Sequence, residues 1–296
     1  MSTEVFARPA RLRVGVVSAG RVGSALGAAL ARAGHEVVAV AAVSAQSLAR
    51  AERLLPGVPV LPSDEVVAMA ELVLLAVPDD ALRPLVAGLA ETDAWRSGQL
   101  VAHTSGAQGI GVLDAAAARG VLPLALHPVM TFVGRPEDLD RLDGAMFGVT
   151  SDEQLRTVAE SLVLEMGGEP VWVPETARPM YHAALSIGSN HLVTIVADAL
   201  DLLDQAGVEG AALLLAPLVS AALDNVLRLG DGALTGPVSR GDVATVAGHL
   251  RTLAQNAPQL LPAYRAMALR TAERAKASGR LTAGQFADIA QTLERT

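Results

Sequence analysis

Arg13-Val-Gly-Val-Val-Ser-Ala-Gly-Arg-Val-Gly-Ser-Ala-Leu26 is the stretch that decides the fold, because it combines a short apolar strand, a small-residue turn and a helix start. In this context the backbone N–H groups of a helix N-terminus hold a dinucleotide pyrophosphate. Gly20 lets the backbone approach the phosphates and Gly23 lets the helix pack closely, but Ser18 stands where the first fingerprint glycine is expected. Any buried strand-to-helix turn could look similar. The pattern predicts a dinucleotide site at Ser18, Ala19, Gly20, Arg21, Val22 and Gly23.

The second predicted strand ends without an acidic residue. The apolar run 36–43 is followed by Ser44-Ala-Gln-Ser47. NAD-specific sites usually carry an acid about 20 residues beyond the glycines, where it binds the ribose 2′-hydroxyl. Here Ser44, Ser47 and either Arg50 or Arg53 are suited to a 2′-phosphate. The sequence therefore favours NADP(H) as the cofactor, although each arginine alone is equally consistent with a solvated helix charge.

Composition limits the class of protein. The chain has 296 residues, of which 51% are hydrophobic and 18% charged, and this size and composition suit two domains with large cores. The net charge of −8 argues against nucleic acid as a partner. The absence of cysteine excludes disulfides, thiolate nucleophiles and cysteine-bound metals. Lys276 is the only lysine, so a catalytic lysine in a central cleft is not expected. No metal site is predicted, because no ligand set has convincing spacing.

The sequence also predicts a soluble cytoplasmic protein. The N-terminal residues lack an apolar core of signal-peptide length. Later apolar runs contain Pro217 and Asp224, so no segment is expected to reach membrane-spanning length.

The order of elements predicts an α/β fold followed by an all-α region. Strand candidates alternate with helix-length segments as far as Pro174, which indicates a doubly wound, mainly parallel sheet of the Rossmann type. After Pro174 only long helices are expected. We therefore predict a dinucleotide-binding domain over 1–174 and an all-helical substrate and dimerisation domain over 175–296. The strand candidates are 12–17, 36–43, 58–61, 72–77, 99–103 and 121–126, with weaker ones at 146–150 and 170–173.

Three loops follow the carboxyl ends of predicted strands, where open α/β sheets bind ligands. They are Val77-Pro-Asp-Asp80, His103-Thr-Ser-Gly-Ala107 and His127-Pro-Val-Met-Thr131. Asp79 and Asp80 are equally suited to capping the next helix. Each histidine could instead bond backbone at a crowded sheet edge. We expect Val77, Pro78 and His103 to contact the cofactor, and Ser105 and His127 to contact the substrate.

A polar stripe is predicted on the first long helix of the second domain. In Tyr181-His-Ala-Ala-Leu-Ser-Ile-Gly-Ser-Asn-His191, a 100° helical step brings four side chains to one face. A helix face in contact with solvent usually carries charged residues, and this stripe has none. Its polar groups also need hydrogen-bond partners, which an apolar core does not provide. A cleft wall satisfies both conditions, and a polar helix–helix contact is the alternative. The four residues are His182, Ser186, Ser189 and Asn190.

The segment Ala233-Leu-Thr-Gly-Pro-Val-Ser-Arg-Gly-Asp242 forms a second motif in the helical half. Arg240 near a helix start can bind a carboxylate through two parallel hydrogen bonds. Thr235 and Asp242 are further candidates for substrate binding, although Asp242 could also cap the following helix. The Arg-Gly-Asp triplet is not interpreted as a cell-adhesion motif in an acidic chain without cysteine.

Together these motifs resemble one bacterial group. Ser-Ala-Gly-Arg-Val-Gly, Val-Pro-Asp-Asp, His-Thr-Ser-Gly-Ala, Leu-His-Pro, Tyr-His-Ala-Ala and Leu-Thr-Gly-Pro-Val-Ser-Arg-Gly-Asp occur in the order typical of Rossmann-like proteins with a C-terminal domain of unknown function. The group is similar in architecture to ketopantoate reductase, pyrroline-5-carboxylate reductase and the 6-phosphogluconate and β-hydroxyacid dehydrogenases. This resemblance implies an oxidoreductase that acts on a small substrate, and a homodimer paired through the helical domain.

One departure from those relatives concerns the proton donor. Ketopantoate reductase and the hydroxyacid dehydrogenases carry a lysine four residues before an asparagine on the first long helix of the helical domain. Asn190 can stand for that asparagine, but Ser186 occupies the lysine position. His182, one turn earlier, is the expected replacement.

The resulting hypothesis is an NADP-dependent reductase of a small 2-oxo acid, similar to ketopantoate, in a cleft between the domains. His182 acts as general acid, Ser186 or Asn190 binds the developing oxyanion, and Arg240 binds the substrate carboxylate. Two alternatives stay open. One is an imine reductase of the pyrroline-5-carboxylate type, and the other is a non-catalytic binding protein that responds to NADP(H).

Overall fold

The computed structural model describes residues 11–295. The chain divides into two compact units, Met1–Ile187 and Gly188–Thr296. The predicted domain boundary falls before the helix that begins at Arg178, and that helix belongs to the first unit.

The first unit is built around one sheet. Its strands are β1 (Arg13–Val17), β2 (Glu36–Ala41), β3 (Leu72–Leu75), β4 (Leu100–His103), β5 (Leu122–Pro128), β6 (Met146–Ser151) and β7 (Glu169–Trp172). They are ordered β2-β1-β3-β4-β5-β6-β7. Neighbouring strands are parallel except β5 and β6, which are antiparallel. The predicted Rossmann-type α/β architecture is confirmed.

The predicted strand at 58–61 was wrong. This segment makes only an isolated bridge between Val40 and Val60. Pro59 lacks the N–H that a continuous ladder needs, so pairing stops after one bridge.

Helices connect the strands and cover both sheet faces. Those of the first unit are α1 (Arg21–Arg32), α2 (Ala45–Leu54), α3 (Ser63–Met69), α4 (Asp79–Glu91), α5 (Asp114–Ala117), α6 (Glu137–Leu142), α7 (Arg156–Glu165) and α8 (Arg178–Leu185). Alternate strand residues enter separate cores: Val16 and Leu74 belong to one, and Val17 and Leu75 to the other. The central strands are therefore buried on both faces, as in a doubly wound sheet.

The second unit is helical. It contains α9 (Leu192–Gln205), α10 (Ala211–Leu229), α11 (Gly236–Arg240), α12 (Val243–Asn256), α13 (Leu261–Ala277) and α14 (Ala283–Glu294). Val246, Leu250, Ala272 and Ile289 belong to its core, which is formed by α11 to α14. The predicted all-α character of this region is confirmed.

Helices α9 and α10 expose apolar side chains. Leu213 is 85% exposed, Leu227 is 78% exposed, and Val193 and Leu218 are also exposed. By length and composition alone, Glu175–Gln205 and Ala211–Arg240 could span a membrane. The expectation that Pro217 and Asp224 interrupt such a segment was wrong, because α10 continues through both. A proline removes only one helix hydrogen bond, and the rest of the helix persists.

The first long helix predicted after Pro174 is not uniform. Between α8 and α9, residues Ser186–His191 form a π-helix. Its i→i+5 hydrogen bonds change the angular step between side chains. The step of 100° per residue, which predicted that Ser186 and Asn190 share the face of His182, therefore does not apply. Ser186 lies in the first unit and Asn190 in the second.

Candidate functional site

The turn between β1 and α1 has the conformation that the fingerprint requires, although its first glycine is missing. Ser18 adopts φ 76°, in the left-handed region that glycine favours. For a residue with a Cβ this conformation costs about 1–2 kcal/mol. The Ala19 N–H donates to the Ala41 carbonyl at 2.8 Å and ties the turn to β2. A Cβ on Gly23 would collide with the Ser18 carbonyl and lie 2.9 Å from Ala76 Cβ. Glycine at 23 is therefore required by packing.

A cavity of about 350 Å³ opens beside this turn. Predicted cofactor residues that line it are Ser18, Ala19, Gly20, Ser44 and Val77; the cavity is also lined by Ser47 and Arg50. Arg21, Val22, Gly23, Pro78 and His103 were predicted too, but they do not line it. The described residues that form its wall include no carboxylate.

The polar end of the cavity is built by the start of α2. Ser44 and Ser47 form a reciprocal capping box, with the Ser47 N–H donating to Ser44 Oγ at 3.1 Å and the Ser44 N–H donating to Ser47 Oγ at 3.0 Å. Arg50, one turn further, has a buried Nε that finds no partner within residues 11–295. Arg53 is committed elsewhere, since its Nη2 donates to the Gly134 carbonyl at 2.8 Å. Of the two arginines that the sequence left open, Arg50 is the one at the cavity.

His103 serves the fold at the end of β4. Its side chain is fully buried. The Ser105 N–H donates to its Nδ1 at 3.2 Å, so Nε2 carries the proton and donates to the Gly109 carbonyl at 2.9 Å. Burial lowers the pKa of His103 to about 4. The side chain has no exposed surface for the predicted contact with the cofactor, and it makes the backbone hydrogen bonds of the alternative interpretation. Ser105 is also buried, and its Oγ accepts the Gln108 N–H at 3.0 Å.

Arg178, at the start of α8, is a fully buried cation that no sequence pattern indicated. Its Nε donates to Thr150 Oγ1 at 2.8 Å, and its Nη2 donates to the carbonyls of Ala125 and Gly148 at 3.1 and 3.0 Å. A further bond reaches the Ser105 carbonyl at 3.3 Å. Within the described residues these partners include no carboxylate. Arg178 therefore fixes α8 to the strand ends and adds a positive charge there, on which the nearby Glu175 carboxylate acts without a direct hydrogen bond.

His127, Tyr181 and His182 form a cluster at the end of β5. His127 Nδ1 and the Tyr181 hydroxyl are hydrogen-bonded at 2.8 Å, with their rings at 87°. The His182 ring is 6.1 Å from that of His127, at 88°. Burial, Arg178 and His182 lower the pKa of His127 to about 4, and burial raises the pKa of Tyr181.

Two glycines make room for this cluster. A Cβ on Gly106 would lie 2.6 Å from His182 Cδ2 and 2.9 Å from His127 Nε2. A Cβ on Gly148 would collide with the Tyr181 hydroxyl and lie 2.7 Å from Tyr181 Cζ. Backbone without a side chain thus borders the rings of His127 and His182 at Gly106, and the ring of Tyr181 at Gly148. The sequence signal for Gly106 was its place in the loop after β4, whereas neither Arg178 nor Gly148 carried one.

The predicted residues of the second unit have their own local surroundings. Thr235 and Arg240 are exposed, at the two ends of α11. Asp242 caps α12, since its Oδ1 accepts the Thr245 N–H at 3.0 Å and its Oδ2 accepts the Thr245 hydroxyl at 2.7 Å. These bonds and Arg240 keep the pKa of Asp242 below its usual value. Asp242 therefore has the capping role that the sequence left open.

Comparisons with known proteins agree with this architecture. A Rossmann-like domain matches residues 2–128, and a domain of unknown function, DUF2520, matches residues 145–271. No curated protein matches the chain. Among solved structures, a "putative NADP oxidoreductase" from Bacteroides fragilis is 22% identical and has a TM-score of 0.73, with 89% of this chain and 98% of that chain covered.

Two further structures have reactions in their names. An imine reductase from Pseudomonas sp. is 17% identical with a TM-score of 0.58, and the match covers 95% of this chain and 92% of that one. The pyrroline carboxylate reductase of Plasmodium falciparum, with NADP bound, is 12% identical with a TM-score of 0.55 and coverages of 96% and 98%. At these identities the likeness shows a shared fold. The chain thus joins a segment similar to Rossmann-like domains to a segment similar to DUF2520 domains, and each match covers less than half of its length.

Proposed function

We propose that this protein is an NADP(H)-dependent oxidoreductase that reduces a small carbonyl or imine compound. The observation that carries the proposal is the cavity beside the β1–α1 turn. It combines a helix N-terminus for the pyrophosphate with Ser44, Ser47 and the Nε of Arg50, which has no hydrogen-bond partner within residues 11–295. An arginine and hydroxyl groups suit a 2′-phosphate, whereas a carboxylate would repel it.

The cavity also has apolar surface for an adenine ring. Val43 is 97% exposed at its edge, and Val77 and Leu85 line it. The Bacteroides and Plasmodium structures have NADP in their names, which is consistent with this choice of cofactor.

The bound cofactor would supply a hydride to the substrate carbon. His182 is the proposed proton donor for the substrate oxygen or nitrogen, because its ring forms no hydrogen bond within the described residues and lies beside His127. General acid catalysis by a positioned histidine typically contributes about 10²–10⁴-fold to the rate. Arg240 is the proposed ligand of a substrate carboxylate, with Ser186 or Asn190 as proposed oxyanion ligands.

A 2-oxo acid similar to ketopantoate is the first substrate class that we propose, by analogy of architecture. Imine reduction is the second, and a specific observation favours it. Named relatives of the same fold reduce imines or pyrroline carboxylates, and this chain lacks the cleft lysine of ketopantoate reductase.

We further propose a soluble, cytoplasmic homodimer in which α9 and α10 meet a second copy. Their exposed leucines and valines need an apolar partner. Asp198, Asp201 and Asp204 along α9 disfavour a lipid environment.

The proposal is tested by titrating the purified protein with NADPH and NADH, with fluorescence and thermal shift as readouts. We expect NADPH to bind at least tenfold more tightly than NADH, which is a difference of about 1.4 kcal/mol. Substrate classes are then screened by NADPH oxidation with 2-oxo acids and cyclic imines. Failure to bind either nucleotide would overturn the proposal. Tight NADPH binding without turnover would favour the non-catalytic binding protein.

A further inference from the structure

We propose that His127 is a neutral imidazole whose Nε2–H donates a hydrogen bond to the substrate oxygen or nitrogen during reduction. The inference rests on the proposed function for its substrate, but the charge and tautomer of His127 are argued from its burial and its contacts within the described residues. It gives His127 a catalytic role separate from that of His182, which supplies the proton.

The first step is the charge of the ring. The guanidinium of Arg178 is fully buried, and the ring of His182 lies 6.1 Å away. His127 has no carboxylate partner within residues 11–295, and the positive charge of Arg178 acts on it, while the carboxylate of Glu175 acts on Arg178. Burial and these neighbours lower the pKa of His127 to about 4. The ring is therefore neutral at physiological pH.

The second step is the tautomer. His127 Nδ1 is the only hydrogen-bond partner of the Tyr181 hydroxyl within the described residues, at 2.8 Å. Burial raises the pKa of Tyr181, so the phenol is protonated and must donate its own hydrogen. If the phenol donates to Nδ1, this nitrogen is the acceptor and the proton of the neutral ring is on Nε2. The opposite tautomer would leave the phenolic hydrogen without an acceptor among the described residues.

The third step is the position of Nε2. It makes no hydrogen bond to protein within residues 11–295, and it lies only 2.9 Å from the site that a Cβ of Gly106 would occupy. His182 borders the same space. A donor next to the proposed acid, at the carboxyl end of β5, lies at the sheet edge where ligands bind in α/β folds.

The chemistry follows from these three steps. When the hydride reaches the substrate carbon, negative charge develops on its oxygen or nitrogen before the proton arrives. A fixed neutral N–H stabilises that charge without losing its own proton, and removing such a donor typically costs about 10²–10³-fold in kcat. Tyr181 and Arg178 act as positioning residues, since they set the tautomer and the charge of His127.

The state of His127 is tested by NMR on ¹⁵N-labelled protein with long-range ¹H–¹⁵N correlation. The chain has six histidines, and His127→Gln identifies the signal. We expect a neutral ring with Nε2–H at pH 7. A protonated ring, or a proton on Nδ1, would overturn the inference.

The chain offers a matched control for Tyr181. It has only two tyrosines, and the Tyr264 hydroxyl lies 2.9 Å from His249 Nδ1 with the rings at 85°. Tyr181→Phe should convert the His127 signal to a mixture of tautomers, whereas Tyr264→Phe should leave it unchanged. An unchanged His127 signal in Tyr181→Phe would contradict the assignment of the phenol as donor.

The catalytic role is tested by kinetics with a substrate found in the NADPH oxidation screen. His127→Leu should lower kcat by about 100-fold, and His127→Gln, which keeps an N–H donor, should recover at least about tenfold of that loss. NADPH affinity should not change in either variant. Equal rates for the two variants would overturn the role. If NADPH is not bound or no compound is reduced, the proposed function fails and the catalytic role fails with it, while NMR still decides the state of His127.

Discussion

The ring of His182 stands at 88° to the ring of His127, and both border the space above Gly106. An added methyl group at this glycine would lie within 3 Å of both rings, so one of them must move. We therefore expect Gly106→Ala to lower turnover by about 10–100-fold, because small misplacements of catalytic groups have large effects on rate.

The measurement is NADPH oxidation, together with the melting temperature and NADPH affinity. Gly88→Ala is the control, since Gly88 lies in α4 with open space around its Cβ position. That variant should raise the free energy of unfolding by about 0.5–1 kcal/mol without changing turnover. Unchanged turnover in Gly106→Ala would mean that the two rings are not at the reacting centre.

Acid should destabilise the fold between pH 6.5 and 4. The pKa values of His103 and His127 are about 4 in the folded protein and about 6.5 in the unfolded chain. Between these values the unfolded chain binds protons that the folded chain does not. The free energy of unfolding should therefore fall as the pH is lowered, by roughly 1–3 kcal/mol for each histidine.

Urea unfolding at a series of pH values measures this dependence. His127→Gln should flatten the slope in that window, because the titrating group is removed. His191→Gln provides the control, since His191 is exposed. If His127→Gln leaves the slope as steep as in the parent protein, the low pKa of His127 is wrong.

Arg50 should determine the preference for NADPH. Among the described residues, Arg50 is the arginine that lines the cavity. Arg50→Ala should weaken NADPH binding by about 10–100-fold, the value of a charge-assisted bond to phosphate. NADH affinity should change little, because NADH lacks the 2′-phosphate. Fluorescence titration measures both constants, with the exposed Arg83→Ala as control. An equal loss of affinity for NADPH and NADH would show that Arg50 does not contact a 2′-phosphate.

The exposed face of α10 should mediate self-association. Leu227 is 78% exposed, and a glutamate in its place would carry charge into an apolar interface. We expect light scattering to give a dimer for the parent chain and a monomer for Leu227→Glu. Leu164→Glu is the control, because Leu164 is 55% exposed in the first unit. A parent chain that is monomeric at micromolar concentration would contradict the proposal.

Much of the fold could be predicted because local sequence determines it. Apolar runs such as 72–75 are long enough only for strands, and small residues from Ser18 to Gly23 indicate the turn that starts α1. The apolar run 58–61 shows the limit, since one proline was enough to prevent a strand. The π-helix at Ser186–His191 could not be predicted, because its cause is not visible in the residue pattern.

The site was predicted less completely than the fold. Ser44, Gly20 and His182 carry recognisable signals, because polar or small residues interrupt apolar patterns there. Arg178 carried none, since a charged residue at a helix start is normally solvated. Its burial depends on carbonyls of residues 105, 125 and 148, which only the folded sheet brings together.

The left-handed backbone of Ser18 has a consequence for how such proteins are found in genomes. The turn has its left-handed backbone although a serine stands at the position where the fingerprint has glycine. Searches that demand glycine at this position will overlook chains in which another residue forms the same turn. A search that asks instead for a small residue here, a glycine at the position of Gly23 and a buried strand before them would recover both versions.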